Sequence, residues 1–225
     1  MSKLLAFMKL DFITVKPYLT AKHLLVMLGV ALLMSINDTT NSIVLGFLMM
    51  FALLYSSYPF AVGEKNTIDA LYMTLPLDTR SIVLGRYGFV LALNAAGCVV
   101  SFSLSFIMQT VMQRTFDPVE TLFTILVLFA IYTIFQAFQL PVYFKLGYAK
   151  AKFIASLPLA IIPLVITLSL GAVFSDYEIK EMLTAALNWI VGNAALVSVT
   201  GITLWLLIMF SSYKLSLRFY SNREF

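Results

Sequence analysis

Apolar residues fill this chain in long uninterrupted blocks separated by short polar clusters, and run length organises them better than any two- or 3.6-residue alternation. A hydrocarbon core ~30 Å thick is crossed by ~20 helical residues. On that basis the pattern predicts six spans, near residues 18–36, 42–62, 82–112, 119–140, 153–174 and 189–210. Blocks such as 157–174 are apolar on every face, which argues for helices and against the short alternating strands of a barrel. The predicted fold class is therefore all-α, an integral membrane protein forming one transmembrane domain over residues 1–225. The first span is the weakest, because Lys22 and His23 interrupt it, and the third is too long for a bilayer, so its first turns with Arg86 and Tyr87 should project beyond it. Before Pro17, Leu4, Leu5, Phe7, Met8 and Phe12 mix with Lys3, Lys9 and Asp11, as in an interfacial helix over residues 1–17.

Composition sharpens this. Hydrophobic residues make up 61% and charged residues 12% of the chain, about half the charged share of a soluble domain. Of fifteen Lys and Arg, all but Arg114 and Lys180 fall on one side of the six spans, which predicts both termini and the two longer charged loops, 63–81 and 141–152, in the cytoplasm. Membrane-facing lysines then account for the net charge of +4, and no nucleic-acid partner is implied. The connections expected outside, 37–41, 113–118 and 175–188, are too short for a domain, although Ile179, Met182, Leu183 and Ala186 would share one face of a short helix in the last. Asn37-Asp38-Thr39 fits a glycosylation sequon but sits in a hairpin too close to the bilayer to serve. The N-terminus lacks the small-residue cleavage site of a signal peptide.

Several chemistries find no residues. No GxxxxGK[ST] string exists to wrap ATP phosphates, so any ATP must bind another chain. His23 is the single histidine and Cys98 the single cysteine, too few for a metal cluster or an internal disulfide. The acidic residues fall in loops, tails or helix ends, unlike the intramembrane carboxylates of proton- or sodium-coupled carriers. Ser101, Ser103 and Ser105 have no base to activate them and read as helix-packing residues. Neither catalytic nor cofactor-binding nor metal-binding residues are expected on this chain.

Four amides, Asn94, Gln136, Gln139 and Asn193, lie inside predicted spans and must find partners, either lining a substrate cavity or bonding between helices. Pro158 and Pro163 should bend the fifth span. In the loop after the second span, Ile68, Leu71, Tyr72 and Leu75 recur at three- and four-residue spacing, predicting a short helix with one apolar stripe that Pro76 ends, and Asp78 or Thr79 can cap the next helix. Such a helix would lie on lipid headgroups or dock a cytoplasmic partner.

The Glu64-Lys65-Asn66 stretch leading to Leu75-Pro76-Leu77-Asp78-Thr79-Arg80, and Leu140-Pro141-Val142-Tyr143-Phe144-Lys145-Leu146-Gly147 between spans four and five, resemble the two cytoplasmic loops of small type-2 ABC exporter permeases. The likeness covers nearly the whole chain. It implies coupling helices seated on a separate ABC ATPase, which carries ATP and Mg, with Glu64, Lys65, Asn66, Asp69, Leu71, Tyr72, Leu75, Lys145 and Gly147 at the contact. It also implies an N-terminal elbow helix and a second permease copy, as a homodimer or with a similar permease. A Phe-, Leu- and Met-rich interior suits hydrophobic or amphipathic cargo, and the compact permeases that export phenol-soluble modulins suggest peptides. Two alternatives remain: a substrate-capturing membrane subunit of a vitamin importer, and a membrane enzyme or assembly factor working without ATP.

Overall fold

The computed structural model describes residues 3–18, 20–36, 41–65, 78–157 and 177–222, and every regular element among them is helical. In chain order these are α1 (Lys3–Val15) with a 3-10 turn at Lys16–Tyr18, α2 (Ala21–Ile36), α3 (Asn41–Ser56), α4 (Tyr58–Lys65), α5 (Thr79–Val111), α6 (Pro118–Leu146), α7 (148–157), α8 (Tyr177–Gly192) and α9 (Ala194–Ser221). Among the described residues, four stretches are long and apolar enough to cross a membrane: Asn41–Lys65, Thr79–Val111, Pro118–Leu146 and Ala194–Ser221. At the expected first span the apolar part of α2 is the shorter Leu25–Ile36. Of the expected fifth span only residues 153–157 are described, so Pro158 and Pro163, and the bend expected at them, lie outside the described residues.

Local chemistry sets the element ends. Pro59 cannot donate to the Tyr55 carbonyl, and the helix breaks two residues earlier at Ser57, whose own carbonyl receives Phe60 and Ala61 N–H at 3.1 and 3.2 Å to start α4. Asp78 stands at the N-cap of α5 and works through its backbone, its carbonyl accepting from Ser81 and Ile82 N–H, while its side chain makes no capping bond. Asp117 caps α6 with its carboxylate, which accepts from the amides of Val119 and Glu120 at 2.8 and 3.0 Å, with Pro118 following at the first helical position. His23, at the start of α2, holds Thr20 Oγ1 and the Tyr18 carbonyl around its Nδ1 at 2.9 and 3.0 Å.

Three helix ends fall away from the expected span limits. The fourth span was expected to end at residue 140, but α6 continues through Pro141 to Leu146, 29 residues in all. The sixth was expected to begin at Trp189 and end at Phe210; instead the chain breaks at Asn193 between α8 and α9, and α9 runs on to Ser221. The residues that permit both extensions belong to the site below.

Helices α6 and α9, α3 and α5, and α1 and α5 pack most extensively, with α6 also against α3 and α5. The largest buried cluster sits at the end where α1, α4, the start of α5 and the ends of α6 and α9 meet, and contains Phe7, Tyr55, Phe60, Tyr87, Phe144 and Tyr220. Lys9, Arg80, Arg86, Lys145 and Arg218 lie at that same basic end. Rings pack through it: Phe60 stacks on Tyr143 at 5.2 Å and meets Phe144 edge-to-face at 5.1 Å, and Phe144 meets Tyr220 edge-to-face at 5.5 Å. Toward the opposite end Leu45, Met49 and Ile125 form a smaller cluster. Leu25, Val99, Phe123 and Ile202 remain exposed, the surface expected of helices solvated by lipid.

Candidate functional site

Three polar ties join the basic ends of the helices, and each is built from residues far apart in sequence. The first involves Glu64, the next-to-last residue of α4. Its Oε2 accepts from the backbone amides of Tyr148 and Ala149 at 2.5 and 3.1 Å, the first amides of α7. Those amides need an acceptor, since the opening turn of a helix leaves its N–H groups without intrahelical partners. Gly147 precedes them with φ 75° and ψ 171°, a conformation open essentially only to glycine, and it has no side chain to serve as a cap. The cap therefore comes from Glu64, 84 positions earlier. At the far side of the same helix Gln139 Nε2 donates to the Ala155 carbonyl at 3.0 Å.

The second tie seats α1 on α5. Arg86 Nε lies 3.2 Å from Asp11 Oδ2, both side chains almost wholly buried, and the guanidinium stacks on the Phe60 ring at 4.5 Å with the Phe7 ring 5.7 Å away. Close approach needs two glycines. A Cβ on Gly85 would stand 2.6 Å from Phe7 Cδ1, and one on Gly88 would stand 2.9 Å from Met8 Sδ. Phe7, Asp11 and Val15 thus form the buried stripe of α1, while Leu5, Phe12 and Ile13 stay exposed and Lys9 keeps its charge at the surface.

The third tie answers the proline inside α6. Pro141 has no N–H for the carbonyl of Ala137, four residues back. Ser212 Oγ of α9 donates to that carbonyl at 2.5 Å. Having one proton, Ser212 must accept from Tyr87 Oη at 2.5 Å, and Tyr87, its own proton now committed, accepts from Ser216 Oγ at 2.8 Å. The direction Ser216 to Tyr87 to Ser212 to Ala137 links α5, α6 and α9 in one chain of bonds. It also explains both extensions: the helix passes its proline because the freed carbonyl is satisfied, and α9 outlasts its apolar run because Ser212, Ser216 and Tyr220 form a buried stripe at four-residue spacing.

The amides expected in the spans separate into distinct roles. Asn94 and Gln136 are both fully buried; Asn94 Nδ2 donates to Gln136 Oε1 at 2.5 Å and to the Val90 carbonyl at 2.9 Å. They bond helix to helix. Gln139 binds α7, as above. Asn193 sits at the break between α8 and α9, its Nδ2 donating to the Trp189 carbonyl at 2.9 Å, so it ends one helix and starts the next.

Of the residues expected at an ATPase contact, Glu64 and Gly147 are brought together across two connections. Lys65 ends α4 and is exposed, and the exposed Lys145 places Nζ 5.0 Å from the Phe219 ring. Asn66, Asp69, Leu71, Tyr72 and Leu75 lie outside the described residues, as does the short helix expected there. Sequence reasoning missed Asp11, Ser212 and Ser216 as partners; the available signals were a proline within an apolar run and a glycine pair three residues apart. At the opposite end a polar concavity of about 600 Å³ is lined by Asn41, Gln109, Thr115, Asp117, Glu120 and Thr124. No group of three or more His, Cys, Asp and Glu able to hold a metal occurs among the described residues.

Comparison with protein families matches residues 7–221 to a family described as ABC-2 family transporter protein. Comparison with curated proteins and with solved structures returns no match.

Proposed function

The chain belongs to the ABC-2 transporter family and is a multi-pass membrane permease, and from that premise we propose that it forms the translocation path of an exporter driven by a separate ABC ATPase. The observation that carries the reading is a family match over residues 7–221 in a sequence with no phosphate-binding loop of its own. Work from ATP must then arrive by mechanical contact. The connections 63–81 and 141–152, on the basic and by this reading cytoplasmic side, are the surfaces for it. ATP binding would draw two ATPase subunits together, push on these connections and rock the spans from inward- to outward-open. The path is completed by a second permease copy, in the symmetric arrangement usual for such assemblies. Cargo is hydrophobic or amphipathic, peptides first, in keeping with an interior rich in Phe, Leu and Met and with no carboxylate in the middle of an expected span.

Co-expression with the candidate ATPase, purification in nanodiscs and titration with amphipathic peptides test this. Copurification of two permeases with two ATPases, and an ATPase rate that responds to peptide, is the expected result. A monomer active by itself, with no ATPase bound, refutes it. Cys98 is the single cysteine, so cysteines placed at 65 and 113 in a Cys98→Ala background report orientation: labelling of residue 65 from outside refutes the topology.

A further inference from the structure

Resting on the permease reading, the geometry points to Glu64 as a positioning residue that makes α4 and α7, one from each cytoplasmic connection, move together, its carboxylate turned to the protein and away from the ATPase. Oxygen Oε2 already accepts two amides, of Tyr148 and Ala149. The acceptor is required there, because Gly147 opens α7 with a glycine-only backbone and no side chain, so that no residue at the cap position can supply one. Glu64 is delivered firmly: four residues earlier Phe60 stacks on Tyr143 and meets Phe144 edge-to-face, fixing α4 to the end of α6, and Tyr143 stacks on Tyr148 at 5.9 Å. Gln139 fastens α7 again at Ala155. A push on residues 148–157 therefore reaches α4 through the carboxylate and α6 through the amide, and α4 leads directly into the stretch 66–77. Neither α4 nor α7 can be displaced by the motor while the other stays behind.

The test has two arms, each run on the full-length permease in nanodiscs with Glu64→Ala and Glu64→Gln, the latter keeping an acceptor oxygen without the charge. In the first arm, hydrogen exchange of the Tyr148 and Ala149 amides is followed without any ATPase. Exchange about five- to tenfold faster in Glu64→Ala, with Glu64→Gln between it and wild type, is expected, at an unchanged melting temperature of the whole protein. Unchanged exchange in Glu64→Ala overturns the tie. In the second arm the variants are copurified with the ATPase. Glu64→Ala should retain the ATPase but lose most peptide-stimulated turnover, with Glu64→Gln restoring part of it. Loss of ATPase binding with turnover per bound complex unchanged would make Glu64 a direct contact and overturn the proposal. If wild type binds no ATPase, the permease reading falls while the exchange arm still decides the tie.

Discussion

Replacing Ser212 by Ala should destabilise the bundle by an amount that depends on whether residue 141 is proline. In wild type the Ala137 carbonyl, deprived of its helical donor by Pro141, takes the Ser212 hydroxyl at 2.5 Å. Removing that hydroxyl leaves a buried carbonyl without a partner and strips Tyr87 of the acceptor for its proton. A buried group left unsatisfied costs about 1–3 kcal/mol, and measured interhelical bonds in membranes give about 0.6–2 kcal/mol, so Ser212→Ala should lose about 1–2 kcal/mol. In Pro141→Ala the new N–H at 141 can reach the same carbonyl, and Ser212→Ala in that background should lose only the Tyr87 share, about 0.5 kcal/mol by the lower bound for such bonds. The double-mutant cycle should thus show a coupling of about 1 kcal/mol. Reversible unfolding in mixed micelles, followed by circular dichroism, supplies all four corners. Additive losses would refute the account of how α6 passes its proline. Loss of helix specifically around residue 137 in Ser212→Ala, seen by hydrogen exchange, would support it independently.

Three further outcomes are expected. Asp11→Ala removes the carboxylate facing a buried guanidinium and should destabilise by about 3–5 kcal/mol, whereas Asp11→Ala with Arg86→Met should recover most of that in the same unfolding assay; no recovery would mean that the ion pair is incidental. Gly85→Ala places a methyl 2.6 Å from Phe7 Cδ1 and should dislodge α1, seen as protease access to residues 3–15, with Phe7→Ala in the same chain restoring protection; equal protection in Gly85→Ala would refute the close seat. Asn94→Leu or Gln136→Leu alone should cost about 1–3 kcal/mol by stranding the other amide, while the double replacement should be nearly neutral and keep peptide-stimulated turnover; a stable double variant without turnover would place the pair on the cargo path.

What the sequence made legible was whatever depends on run length and local periodicity. The all-helical class and the long apolar helices followed from blocks of Leu, Ile, Val and Phe, because a membrane selects length before pattern. Helix ends were less legible, for a physical reason. Pro141 ends a helix in water, and polarity from Ser211 onward ends a span, but both rules fail when another helix supplies the missing partner, and no spacing within α6 shows that Ser212 will do so. Asp11 read as one charge of an interfacial helix; its partner Arg86 is on another element, and the signal joining them is the pair Gly85 and Gly88, which permits the approach without announcing it. Glu64 was read as facing a partner protein, the usual fate of a charge in a loop. Its acceptor role could not be seen, since a backbone amide leaves no mark in the sequence except the glycine that fails to cap it.

These ties fall where a motor would act. Helix α9 is held by Ser212, Ser216 and Tyr220, its last ten residues, whereas Leu196, Val199, Ile202 and Leu206 in its first half are all exposed. Helix α5 likewise is gripped at its start by Asp11, Ser212 and Ser216, while Val99, Phe106 and Val111 further on are bare. Farther along, the helices are still joined, by Trp205 Nε1 to Thr133 Oγ1 at 2.7 Å, Tyr132 Oη to the Gly46 carbonyl at 2.7 Å and Ser105 Oγ to Asn41 Oδ1 at 3.0 Å, so displacement at the basic end is handed from helix to helix through polar contacts. Under the permease reading, a small shift of the two connections at the basic end is therefore passed along helices of 28 to 33 residues. Loosening a tie at the basic end should then weaken turnover more than an equally destabilising change near Leu45 or Ile125, and comparing the two at matched stability separates transmission from simple folding.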